Sequence, residues 1–293
     1  MTRLRADLVL IACAAIWGLA FVYQKTAMTH IGPLTFIAAR GLIAACALAP
    51  LAAIESRQSP FPTPPAALLK IGGLTGMAFF VAAVLQQSGI VTSSVTNSGF
   101  LTALYVVVVP FIAWAWHRKA PGSSVWLAVI LSFVGTWLLG GGSLAGLGHG
   151  DMMVAASAVF WAAHVVVVGI SGRLGRPVAV TALQFLVVGV LGLAGALVFE
   201  DPRVQGLQTA AGEILFVGLL SSALTFTLLA VALRYTPPSE AAVLVSLETV
   251  FAALAGAILL GDRLPLIGWI GAAMIFTASL VVQLGARMSQ QKP

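Results

Sequence analysis

The chain has 293 residues, 60% hydrophobic and only 8% charged, with a net charge of +6. A soluble domain carries about 25% charged residues, so this composition excludes an ordinary solvated surface and defines an all-α polytopic membrane protein. The basic balance does not indicate nucleic acid: Lys and Arg lie singly or in pairs between apolar runs, the way cytoplasmic loops are marked. Strand alternation is absent, which argues against an outer-membrane barrel.

Ten apolar segments have the length of about 20 residues that a bilayer core demands of a helix. The N-terminal run has the basic start of a signal peptide but is too long for its apolar region, so it reads as a retained first span, 7–27. On that span Trp17, Phe21 and Gln24 share a helical face. The second span, 33–54, carries Arg40 about seven residues in. That side chain reads best as snorkelling outward, with attraction of an anion or pairing with an acid as the alternatives. The third span, 69–91, closes on Gln86 and Gln87, and a tight polar hairpin leads to Asn97 at the start of the fourth, 95–116. Gln86 and Asn97 are candidates for an outer gate or for binding a carboxylate or ammonium. Deeper in the fourth span, Tyr105 offers a hydroxyl at the end of an apolar ring, a means of aligning a zwitterion.

The fifth span is 124–142 and the sixth 150–171, where Ser157, Trp161 and His164 share a face. Trp prefers membrane interfaces, so Trp17 and Trp161 at matching depths read either as paired walls of a cavity or as bundle filling. His164, the one histidine well inside a span, is either a proton carrier or a satisfied core residue. The seventh span is 178–199 and the eighth 212–234, whose Ser221, Ser222 and Thr225 suit helix–helix contacts. The ninth, 239–260, places Glu248 near its middle, and the tenth is 264–285. An intramembrane acid is a functional site by default; the alternative is a protonated carboxyl hydrogen-bonded within the bundle. Cys13 and Cys46 fall in apolar runs and imply neither a disulfide nor a metal site. No motif calls for a cofactor, and no phosphate-binding loop suggests ATP.

Asp7 and Asp151 stand 144 residues apart, as do Trp17 and Trp161, and Trp126 and Trp269 stand 143 apart. With five spans on each side, these offsets suggest a duplication whose second copy enters the membrane from the opposite face: residues 1–147 and 148–293. Inverted repeats are the design of secondary transporters with a site near the midplane. With the N-terminus in the cytoplasm, eleven Lys and Arg face inward and three outward, and the C-terminus returns to the cytoplasm.

Three stretches, AAIWGLAFVYQK (14–25), TSSVTNSGFLTALYVVVVPFIAW (92–114) and LETVFAALAGAILLGDRLPLIGWIGAAMIF (247–276), resemble the EamA-type ten-helix permeases of the drug/metabolite transporter superfamily. Within that family the chain is most similar to bacterial amino-acid exporters of the YddG type. The resemblance implies two inverted five-helix repeats around a cavity lined by the first four helices of each, and an inner-membrane location. The chain has Glu248-Thr249 where the family commonly has Glu-Pro, a change that would remove a kink, and Gly261-Asp262 where it commonly has Gly-Glu. The expected function is secondary transport of small metabolites, foremost amino-acid export, by alternating access along Trp17, Phe21, Gln86, Asn97, Tyr105, Trp161, His164 and Glu248. Export of drugs or nucleosides is the alternative. An intramembrane enzyme is a distant one, since no paired aspartates or metalloprotease motif is present.

Overall fold

In the computed structural model, all residues are described except 60–62, 143–146, 262, 264 and 291–293, and side chains are described except within these and 286–290. Asp262, Lys292 and the Arg287 side chain, which enter the charge and family readings above, lie outside what is described. Among the described residues there is no strand, and nine helices are long and apolar enough to cross a bilayer. In order they are Arg3–Ala27, Pro33–Gln58, Pro65–Ile90, Val95–His117, His149–Leu174, Pro177–Phe199, Ala211–Ala232, Pro238–Leu260 and Leu266–Gly285. Several begin with proline in the first turn, where its missing N–H costs nothing. Lipid-facing positions are large and apolar, Phe199, Ile258 and Leu266 each being 79% exposed.

The fifth span is shorter than its hydropathy suggests. It is the 17-residue helix Ser123–Leu139, ending at Gly140 rather than 142. Gly141 and Gly142 have φ of 96° and 67°, which only glycine adopts cheaply, so the glycine run stops the helix while the apolar pattern continues.

Packing follows a rule that exchanges each span with the one five places on. The second packs on the seventh and the fifth on the tenth. The third packs on the sixth as the eighth packs on the first, and the first packs on the ninth as the sixth packs on the fourth. Glycine permits the closest crossings, as expected where apolar lipid gives helices no hydrophobic reason to associate. A Cβ on Gly41 would lie 2.7 Å from Gly189 N, and one on Gly271 would lie 2.3 Å from Gly135 O and 2.6 Å from Leu139 N. These obstacles are backbone atoms and cannot turn aside. We expect Gly271→Ala to lower stability by about 1–3 kcal/mol, read as a fall in unfolding temperature in detergent. Gly73→Ala, where the new methyl meets nothing within 4 Å, should leave it unchanged or slightly higher.

The second and seventh spans also cap each other. Glu200, just past the seventh, accepts from Leu34 N and Thr35 N at 2.8 Å each and from Thr35 Oγ1 at 2.6 Å, at the start of the second. Glu55, near the end of the second, accepts from Val178 N at 3.0 Å and Ala179 N at 2.9 Å, at the start of the seventh, and pairs with Arg176 at 3.3 Å. Each carboxylate satisfies otherwise orphaned N–H groups and meets the positive end of a helix dipole.

Candidate functional site

Two spans are broken at equivalent points. The fourth is helical over Val95–Thr102 and Tyr105–His117, the ninth over Pro238–Val245 and Glu248–Ala255. Tyr105 and Glu248 therefore each open the second half of a broken helix, 143 residues apart. The ninth span breaks here although Thr249, not proline, follows Glu248. Hydroxyls take over the carbonyls there instead: Ser246 Oγ donates to Val243 O at 2.7 Å and Thr249 Oγ1 to Ser246 O at 2.8 Å. Ser132 of the fifth span holds Ser246 at 2.6 Å. In the fourth span, Val106 and Val107 donate to carbonyls three residues back, and Pro110 removes a donor further on. The eighth span contains a π-helical stretch, Phe216–Leu224, of the sort that clusters at functional sites.

These irregular segments surround a central cavity whose empty space, open mouth included, is about 630 Å³. Its walls come from the first, second, third, fourth, sixth, eighth and ninth spans. The fifth and tenth brace each other outside it, as the resemblance implies; the seventh, implied as a wall, contributes no lining residue but supports one from behind.

Seven of the eight candidate residues meet in this cavity: Trp17, Phe21, Gln86, Tyr105, Trp161, His164 and Glu248. Trp17 donates its indole N–H to Ser221 O at 3.0 Å, a carbonyl in the π-helical stretch. Gln86 Nε2 donates to Thr102 Oγ1 at 2.8 Å. His164 is wholly buried and donates its Nε2–H to Gln184 Oε1 of the seventh span at 2.8 Å. Tyr105 lies within the electrostatic reach of Glu248, yet the Tyr105 hydroxyl and Glu248 Oε1 form no hydrogen bond of good geometry. Asn97 stands apart from the cavity, its Nδ2 at 3.4 Å from Asp151 Oδ1.

Arg40 does not snorkel. It is 3% exposed and lines the cavity, donating from Nε at 3.0 Å and Nη2 at 2.8 Å to Ser222 Oγ, with its guanidinium 5.3 Å from the centre of the Phe79 ring. Phe226, unmarked in its apolar run, lines the cavity, and Phe79, equally unmarked and wholly buried, packs behind the aromatic wall. The Phe226 ring is 4.8 Å from Trp17 and 6.2 Å from Trp161, nearly parallel to the latter, and Phe79 meets Trp161 edge-on at 4.9 Å. Only their contacts reveal them.

Buried polar atoms are normally hydrogen-bonded. Here Gln24, Tyr105, Trp161, His164 and Glu248 all line one cavity, and each has a buried polar atom (Oε1, OH, Nε1, Nδ1 and Oε1 respectively) with no hydrogen-bond partner among the described residues. Trp161 is the counterpart of Trp17, whose indole is satisfied, so the two repeats differ at this point. An aromatic-walled space whose lining residues carry unused donors and acceptors is suited to a polar solute or water.

The bundle is thus a two-repeat helical membrane protein with a mainly apolar, aromatic-walled pocket that carries a few polar side chains at its centre. Family comparison is more specific. The EamA-like transporter family matches residues 4–141 and again 148–284, and the chain belongs to that family. An uncharacterized transporter of Archaeoglobus fulgidus is 29% identical over 282 residues, 96% of this chain and 87% of that protein. The uncharacterized transporter YwfM of Bacillus subtilis is 26% identical over 295 residues, 96% of this chain and 94% of its own length. A crystal structure of a protein 17% identical superposes with a TM-score of 0.78, covering 99% of this chain and 100% of the other, which establishes the shared fold.

Proposed function

We propose that this transporter exports amino acids across the bacterial inner membrane, both termini facing the cytoplasm, by alternating exposure of the central cavity. The observation that carries the reading is the set of unpartnered polar atoms on residues that line one aromatic-walled cavity midway along broken helices. Helix breaks expose backbone and side-chain groups to solute where protein, not lipid, surrounds them. Similarity of the three quoted stretches to amino-acid exporters supports the substrate and the direction.

Matched latches at the two ends support the alternation. At the end bearing the N-terminus, Thr236 Oγ1 donates to Asp7 Oδ1 at 2.8 Å, and Arg3 pairs with both Asp7, at 3.6 Å, and Glu240. At the other end, Ser93 Oγ donates to Asp151 Oδ1 at 2.6 Å, and Lys25 Nζ holds the carbonyls of Ile90, Val91 and Ser93 at 2.8–2.9 Å. In each case an aspartate from the first helix of one repeat grips the third hairpin of the other. Opening one end requires breaking one latch while the other holds.

Purified protein in proteoliposomes, offered labelled amino acids, nucleosides and cationic drugs, tests the substrate. Carrier-dependent flux of amino acids is expected; flux of another class alone would overturn the proposal. Trp161→Ala should lower that flux about tenfold by removing both a stacking face and an unused donor, without altering membrane insertion, and Trp161→Phe should recover part of it. Insertion is read from membrane-fraction yield and flux from initial rates.

A further inference from the structure

Arg40 presents an electrostatic problem that the protein alone does not solve. Its guanidinium is buried inside the bundle, and no carboxylate of the described residues lies within ion-pair distance of it. Ser222 accepts from two of its nitrogens but brings no charge, and the Phe79 ring face offers only a partial one. Nη1 makes no hydrogen bond to a described residue. A buried charge without a counter-ion is strongly unfavourable, so the site is complete only when an anionic group occupies the cavity beside it. A planar guanidinium held by a neighbour at its Nε edge is preset for two-pronged capture of a carboxylate.

The other ionisable group in the cavity wall is Glu248, on the ninth span, with an unpartnered oxygen and Tyr105 beside it. Glu248 forms no ion pair with Arg40, since their charged atoms are more than 4 Å apart. A solute that satisfies both poles carries an anionic and a cationic group at once and is neutral overall. A simple anion leaves Glu248 without a partner, and a simple cation meets repulsion at Arg40.

We propose that Arg40 is the carboxylate-binding residue of the transport site and that, with Glu248 receiving the ammonium, it makes the site selective for zwitterions over amines. The proposal rests on the amino-acid reading above and assigns to it one recognition element. Ser222 acts as the positioning residue that fixes the guanidinium.

The test is equilibrium binding to the purified full-length protein in detergent. The probes are each common L-amino acid, its decarboxylated amine and its deaminated acid. The wild type should bind at least one amino acid roughly tenfold or more tighter than either of its analogues, the range expected for a charged hydrogen bond. Arg40→Gln should weaken that amino acid roughly ten- to hundredfold while leaving or improving the amine, so that the preference disappears. Arg40→Lys keeps the charge and loses the fork, and should reduce the preference severalfold; it also serves should the glutamine variant fail to fold. Equal weakening of amino acid and amine by Arg40→Gln would assign Arg40 a purely structural role. An unchanged preference in Arg40→Lys, or a wild type that binds amine as tightly as amino acid, would equally overturn the assignment while leaving amino-acid transport intact. A wild type that binds none of the amino acids would overturn both.

Discussion

Glu248→Ala is expected to reduce solute flux about a hundredfold while the protein still inserts and remains monodisperse. The carboxylate is 5% exposed in the cavity wall, and its Oε1 has no hydrogen-bond partner among the described residues. Removing a carboxylate from this position therefore breaks no hydrogen bond of Oε1 that holds the ninth span in place. The break beside it is maintained by the hydroxyls of Ser246 and Thr249, which the substitution leaves untouched. What disappears is the group available to a cation or a proton. A charged hydrogen bond contributes about 1.5–3 kcal/mol, and its loss corresponds to roughly ten- to hundredfold in rate. Glu248→Gln preserves shape and should lose nearly as much, because an amide can neither carry a proton nor pair with a cation as a carboxylate does. Initial rates in proteoliposomes, normalised to inserted protein, measure this. Flux within twofold of wild type in both variants would show that Glu248 is only a structural carboxyl.

The second large effect concerns stability. Replacing Glu200 by alanine removes three hydrogen bonds and one favourable charge–dipole contact from the start of the second span. Replacing Glu55 removes the equivalent contacts from the start of the seventh and leaves Arg176 without its carboxylate. Helix caps contribute up to about 2 kcal/mol each, and the two sites lie at opposite ends of one helix pair. Their costs should add, giving a loss of about 4 kcal/mol in the double variant. Thermal unfolding in detergent reads it. A double variant as stable as either single one would show that the two caps are energetically coupled.

Different parts of the molecule were legible in the sequence to different degrees. Span positions follow from hydropathy because every residue facing lipid must be apolar, as Phe199 and Ile258 are. The duplication shows in the offsets of Asp7 and Trp17 to Asp151 and Trp161 because those residues occupy equivalent positions in the two repeats. The aspartate latches show why: each must reach the hairpin of the opposite repeat. Glu55 and Glu200 carry the same offset signal, one residue longer, but sit among loop residues where an acid needs no special explanation.

Hydropathy could not distinguish the fate of Arg40. Whether that side chain snorkels or turns inward depends on the rotation of the second span, which is set by its close glycine crossing with the seventh. Likewise the kink beside Glu248 arises from hydroxyls and a partner, Ser132, contributed by a span more than a hundred residues away. Phe79 and Phe226 look like any other apolar residue until the third and eighth spans meet across the cavity. Short-range pattern thus yields the elements, whereas the polarity of the site comes from tertiary contacts that no local window contains.

The central cavity as the solute path is tested most directly by blocking it. Val165, a half-buried lining residue, is changed to cysteine in a background carrying Cys46→Ser and Cys13→Ala, and flux is measured before and after treatment with a small thiol reagent. Labelling should abolish flux, and saturating solute should slow the labelling. Complete labelling with flux unchanged would mean that solute crosses elsewhere.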